Sequence, residues 1–491
     1  MLIEPPSPLP RVLGPWMAAA IVVGTVIGSG VFKKPQYVAE RVPEFGPAML
    51  VWVLGGVLAL LGALALAEIA VLFPRAGGNY AFLTEGYGRF AGFLWGWVEF
   101  GIIRSASIAA LATMFAEGLA NALREFNGGV QLLDFWPQQM LAVAAIAALG
   151  TLNALGTRLG GRVQVVLTSI KIGSILTIVA LPLVIWLTVP APSHPPRVSN
   201  LTPVWPAEWA AFDPYKFGAA LVGVLWAYHG WMNIGPIAGE VRDPGRNIPR
   251  ALLGGVALLI ALYVGANVAY HCVLPRVDIA ASKQTAVSTE FALRLLGGTG
   301  VVLGSAALMM SVFGSLNGNL LVGPRLLFAM ARDRLIPTGI GAVNPSTQTP
   351  VLATVVLAAW SSLLIAGVGV LTRSRLPVIE LGSRTLDLNL PAGKAPFDVV
   401  TDFAMFGAVT FETLVILALF RFRKRFPVNE YRIPYRCPGY PVVPAVYVLV
   451  MGAVLYNMFA SPDQRAEAYV GLAFIAAGGV VYAFIRRRSL A

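Results

Sequence analysis

Gly24-Thr25-Val26-Ile27-Gly28-Ser29-Gly30-Val31-Phe32 decides how the rest of the chain is read. It lies about midway along an apolar run at 13–36. A Gly-Ser-Gly triplet there gives up helical hydrogen bonds and frees backbone groups. At membrane depth, freed backbone must be buried in protein or line a cavity. The N-terminus of the outer half-helix then faces anions, and the unwound carbonyls face cations. A zwitterion such as an amino acid needs both.

The surrounding composition supplies the membrane. The 491 residues are 57% hydrophobic and 12% charged, with mean hydropathy +0.72. A soluble domain carries roughly twice that charged fraction. Runs long enough to span a bilayer recur about twelve times. They fall near 13–36, 46–72, 90–120, 137–155, 163–189, 217–239, 250–274, 299–331, 350–371, 398–420, 441–460 and 467–485. The net charge of +12 sorts by loop instead of clustering in a soluble patch, which speaks against nucleic acid. With the N-terminus inside, about 20 Lys/Arg face about 6 Asp/Glu in the cytoplasmic segments, against about 14 and 14 outside. That asymmetry predicts both termini in the cytoplasm. Arg421-Phe422-Arg423-Lys424-Arg425 and Arg486-Arg487-Arg488 are its strongest anchors.

A second interruption echoes the first. The sixth run contains Leu225-Trp226-Ala227-Tyr228-His229-Gly230-Trp231-Met232-Asn233, with a break expected at His229-Gly230. Breaks at positions one and six are each in the first span of a five-span unit. This predicts an all-α membrane protein of the leucine-transporter type, two inverted five-helix repeats with the substrate between them. The layout is a cytoplasmic N-terminus at 1–12, a first repeat at 13–189, and a second repeat at 217–420. Two further spans follow at 441–485, then a cytoplasmic C-terminus at 486–491. Longer connections lie at 190–216, at 275–298, where apolar periodicity predicts an interfacial helix, and at 372–397, a lid or an insertion. Cys272 and Cys437 fall near opposite faces, so no disulfide is expected between them. The N-terminus lacks the pattern of a cleaved signal peptide, so the first span is expected to be retained.

At this point six motifs in order resemble the amino acid-polyamine-organocation transporter superfamily, and within it the L-type branch. The opening stretch is similar to the family's first-span signature, and Phe73-Pro74-Arg75-Ala76-Gly77-Gly78-Asn79-Tyr80 to its first cytoplasmic loop. Trp97 to Ser107 looks like the L-type third span, and Glu240-Val241-Arg242-Asp243-Pro244 like the start of the loop after span six. Phe313-Gly314-Ser315-Leu316-Asn317-Gly318, then Arg325, resembles span eight. Tyr431-Arg432-Ile433-Pro434-Tyr435-Arg436 resembles the approach to span eleven. Three positions depart. Residues 121–136 lack the cysteine that tethers a single-span partner in eukaryotic L-type proteins, so no disulfide-linked heavy chain is expected. Ser105 stands where Pro is usual, and His229 where the residue is usually small or acidic.

The resemblance implies a site. The N–H groups of Ser29, Gly30 and Val31 would bind the substrate carboxylate. Val26 and Ile27 would turn carbonyls toward its ammonium, aided by Ala227 and His229. Trp226 matches the aromatic gate over the substrate. Ile103, Ser107 and Asn317 match pocket-lining positions. Lys171 matches a span-five lysine that stands in for Na⁺ in sodium-independent members, tying span five to freed carbonyls of span one. Proton exchange at Lys171 or His229 stays open. Glu99 and Arg104, five residues apart on span three, could pair within the membrane, while Glu68 and Glu412 have no evident role beyond helix contacts or proton paths.

The reading is therefore a sodium-independent carrier of small to medium neutral L-amino acids, working by alternating access and by exchange. A proton symporter and a cationic amino-acid or polyamine carrier are the alternatives within transport. An enzyme is disfavoured: three histidines lack metal-ligand spacing and no HExxH or GxSxG appears, so neither catalytic residues, metal nor cofactor is expected. A sensor would want a signalling domain, and the termini are short. The expected partners are the amino acid and the lipid bilayer, as a monomer or homo-oligomer. The expected location is a prokaryotic inner membrane.

Overall fold

The computed structural model describes residues 9–190, 194–209, 212–282, 286–373, 379–381, 384–386, 396–427, 429–462 and 464–490. Eleven of its helical segments are long and apolar enough to cross a membrane. The first is split into α1 (Pro15–Val26) and α2 (Gly30–Arg41), so the helix stops where the Gly-Ser-Gly triplet begins. Next come α3 (Phe45–Leu72), a loop, α4 (Asn79–Tyr87) and α5 (Arg89–Val98). A six-residue π-turn, Glu99–Arg104, carries α5 into α6 (Ser105–Phe126), so one long span contains a widened turn. π-turns of this kind occur frequently at functional sites. The helices α7 (Phe135–Ala154) and α8 (Thr157–Thr188) follow.

The sixth run is α9 (Pro214–Tyr228), too short to span because it breaks at His229-Gly230. Asp213 caps it, accepting from the amides of Tyr215 (2.9 Å) and Lys216 (3.2 Å), with Pro214 in the first turn where its missing N–H does no harm. Gly230 has φ +120°, a conformation open to glycine, and the chain proceeds through the 3-10 turns Trp231–Ile234 and Ala238–Glu240. After these come α10 (Pro244–Val273), α11 (Arg276–Ala281) and α12 (Val287–Leu296). The expected interfacial helix at 275–298 is thus two short ones. The run at 299–331 is α13 (Gly298–Val322) plus α14 (Pro324–Arg332), and α15 (Val351–Arg373), α16 (Pro396–Arg425), α17 (Val442–Ala460) and α18 (Arg465–Leu490) complete the set. Within 372–397, β1 (Ile379–Leu381) and β2 (Arg384–Leu386) pair antiparallel; most of the remainder, and with it the lid expectation, lies outside the described residues. So do residues 1–8 of the N-terminal segment.

The broken helices sit at the centre. α1 packs against α8, α10 and α13, and α2 against α9 and α11. Outer helices turn apolar side chains outward, such as Leu449, Tyr456 and Val480 on α17 and α18, as hydrocarbon contact requires. Several of the charges inside are paired. Arg325, fully buried, meets both oxygens of Glu240 (2.8 and 3.1 Å), the Thr157 hydroxyl and the Leu321 carbonyl. Glu68 forms an ion pair with Arg423 (2.7 Å) and accepts hydrogen bonds from its Nη2 (2.8 Å) and from the Cys437 amide (2.7 Å), fastening the approach to α17 onto α3. Burial and the Glu68 charge push the Cys437 thiol up to about 12. Cys272 and Cys437 are both free thiols.

Candidate functional site

The two breaks touch. Thr25, in the last turn of α1, donates to the Ile21 carbonyl (2.7 Å) and lies 3.1 Å from the Gly230 carbonyl. A Cβ on Gly30 would sit 2.5 Å from Ala227 Cα, so only glycine permits this crossing. Between α1 and α2 the Gly28 amide reaches the Val26 carbonyl (2.7 Å), and the first N–H groups of α2 lack an intrahelical acceptor.

The freed carbonyls of the first break are not idle. Lys171, fully buried on α8, donates to the carbonyls of Gly24 (2.7 Å) and Ile27 (2.7 Å) and to Ser315 Oγ (2.8 Å). Ser315 also reaches the Ile27 carbonyl (2.8 Å), and Ser311 reaches those of Ile27 (3.1 Å) and Gly28 (3.0 Å). The ammonium therefore occupies an oxygen cage that would otherwise suit a small cation. It has three donors, and all three are used.

Beside the break is a cavity. Its wall includes Val26, Ser29, Gly30, Ile103, Ser107, Trp226 and His229, all expected from the sequence. The Trp226 and His229 rings stack nearly parallel (centroids 6.1 Å apart, 6°). His229 Nε2 lies 2.9 Å from Glu412 Oε1 on α16, which gives Glu412 a partner that the sequence did not suggest. Arg104 also faces the cavity. It donates to Glu99 from Nε (2.8 Å) and Nη2, to Asn319 (2.6 Å) and to Asn233 (2.7 Å), so the span-three pair is formed and all three guanidinium nitrogens have acceptors. Such satisfaction is what lets a buried ion pair persist.

Of the expected residues, Ile27, Val31, Ala227 and Asn317 are off the cavity wall, and Val26 is on it with its carbonyl engaged. The Ile27 carbonyl does face an ammonium, but that of Lys171. The Val26 carbonyl is taken by the Tyr263 hydroxyl (3.0 Å), although Val26 itself lines the wall. Val31 is buried away from the cavity, and Ala227 is packed against Gly30. Asn317 points to the α7–α8 seam, bonded to Asn153 (3.0 Å) and Gln164 (2.7 Å). Two residues along a helix is a turn of about 200°, and it is Asn319 that meets the cavity. Ser311, Ser315 and Asn319 recur at four-residue spacing on one face of α13, a stripe that helical periodicity could have exposed.

With this geometry in place, comparison with known proteins identifies the lineage. Residues 13–485 match the family model of the amino acid permeases. The chain belongs to that family. The permease is 31% identical over 453 residues to the serine/threonine exchanger SteT of Bacillus subtilis, covering 91% of this chain and 92% of that one. It is 31% identical over 346 residues to the human b(0,+)-type amino acid transporter 1, covering 70% and 67% of the two chains. It is 29% identical over 354 residues to the human large neutral amino acids transporter small subunit 2, covering 70% and 62%. This permease is a multi-pass membrane protein that transports amino acids, and it is not an enzyme.

Proposed function

We propose that the chain exchanges small to medium neutral L-amino acids without sodium, by alternating access around the cavity at the two breaks. The carrying observation is Lys171, whose ammonium holds the Gly24 and Ile27 carbonyls where a coupling cation would have to sit. The amides of Ser29 and Gly30 take the substrate carboxylate at the N-terminus of α2. Trp226 covers the bound molecule. Ile103, Ser107, His229 and Asn319 leave room for a short side chain. The likeness to an exchanger of serine and threonine supports exchange and small polar substrates. Two inverted repeats, 13–189 and 217–420, rock about this site, with both termini in the cytoplasm of a prokaryotic cell. Residues 121–136 contain no cysteine, which supports function without a tethered partner.

The test is efflux of preloaded radiolabelled serine, alanine or leucine from proteoliposomes, in sodium and in choline. Efflux that needs external amino acid and ignores sodium is the expected result. A sodium requirement would overturn the reading of Lys171. The His229–Glu412 pair favours a second reading, proton symport. Net uptake driven by a proton gradient alone would establish that instead.

A further inference from the structure

A second, small cavity lies against the loop that precedes α4. It shares with the central cavity only Arg104, His229, Gly230 and Asn233, which form a partition between the two. Three hydrogen-bond acceptors of its lining residues have no donor among the described residues. Asn79 is 4% exposed; its Nδ2 donates to Met232 Sδ (3.2 Å), and its Oδ1 has no partner among the described residues. Glu99 receives both Arg104 hydrogen bonds on Oε1, and no described residue donates to Oε2. Glu412 meets His229 on Oε1, and its Oε2 is likewise unmet. Both carboxylates are at least nine-tenths buried. Acceptors in such a place are costly unless they are given donors. Two of the three acceptors belong to carboxylates, which favour a cationic donor over a neutral one.

A group with one positive charge and three N–H donors complements this wall. We propose that the second cavity binds primary ammonium groups, with Asn79 Oδ1, Glu99 Oε2 and Glu412 Oε2 as the acceptors. An amino acid passing the Arg104–Asn233 partition carries such a group, and so does a free alkylamine. The proposal rests on the transport reading only for the first of these sources.

The test uses the full chain in proteoliposomes exchanging serine, with propylamine or tetramethylammonium added at equal concentration. The second cation has the charge but no N–H. Propylamine is expected to slow exchange and tetramethylammonium to leave it unchanged. Asn79→Leu should raise the propylamine needed about tenfold, the scale of one charge-assisted hydrogen bond, with amine-free exchange retained. Equal potency of the two cations, no effect of either, or unchanged propylamine sensitivity in N79L overturns the proposal. If N79L does not fold, the comparison of the two cations on the wild-type protein still decides. Lysine against norleucine separates the sources. An advantage of lysine that disappears in N79L marks a substrate-borne ammonium; propylamine sensitivity without that advantage marks a site for free amines. Should serine exchange fail altogether, the thermal shift given by propylamine over tetramethylammonium tests the site without transport.

Discussion

The first-span break and the sixth-span break are satisfied in opposite ways. At the first, a lysine from α8 and two serines from α13 hold the carbonyls of Gly24, Ile27 and Gly28. That is a fastening: one buried cation, three acceptors, no donor left over. At the second, His229 leans on Trp226 and meets Glu412, and both the imidazole and the carboxylate keep an atom free of described protein partners. A fastened break and an adjustable one, joined through Thr25 and Gly230, suit a transporter whose substrate must be gripped and released. Much of the carbonyl side of the first break is already engaged, so the substrate ammonium must find acceptors elsewhere, on the side of α9.

The hardest blow to this comparison is Lys171→Met. The thioether fills similar volume but donates nothing, leaving two carbonyls and Ser315 to rearrange in a dry site. Each unmet acceptor costs about 1–3 kcal/mol. Exchange should fall by about 100-fold or more and the thermal midpoint by several degrees. Exchange and unfolding measured on the same preparation check both. A K171M protein that exchanges normally would show that the first break needs no cation.

Gly30→Ala tests the junction between the breaks. The new Cβ would lie 2.5 Å from Ala227 Cα and 2.6 Å from its Cβ. Backbone must move, so exchange should drop at least about tenfold, with a stability loss of about 1–3 kcal/mol. Because the nearest atom is Cα, adding Ala227→Gly should restore little. Full rescue by the double variant would mean that only the alanine methyl mattered.

How far the sequence carried these points can be traced in single residues. The breaks were legible because glycine interrupts two apolar runs, the first and the sixth, at equivalent positions in the two halves. Lys171 was legible because a lysine at that depth demands oxygens. The sign of its effect on Ile27 was missed: the carbonyl was assigned to the substrate, and the protein's own ammonium took it. Asn317 was misplaced because a family motif names positions in a stretch, whereas the helical phase that turns Asn319 to the cavity is set by how α13 rolls on α6 and α8. Glu412 lies 183 residues from His229, and no local pattern could join them. The π-turn at Glu99–Arg104, which shifts the phase of the third span, has no signature beyond the charges at its ends.

The mildest variant separates fastening from adjustment most cleanly. Glu412→Gln keeps the shape and an oxygen that accepts from His229 Nε2, while removing the charge. Stability should change by less than about 1 kcal/mol, since a neutral hydrogen bond replaces a charge-assisted one. Exchange should nonetheless slow by roughly two- to fivefold, because the orientation of the imidazole in the cavity is set by its second nitrogen's partner. K171M loses stability and transport together; E412Q should lose transport alone. If E412Q unfolds as readily as K171M, the sixth-span break is also a fastening, and the adjustable element of the site must lie in the Arg104 cluster instead.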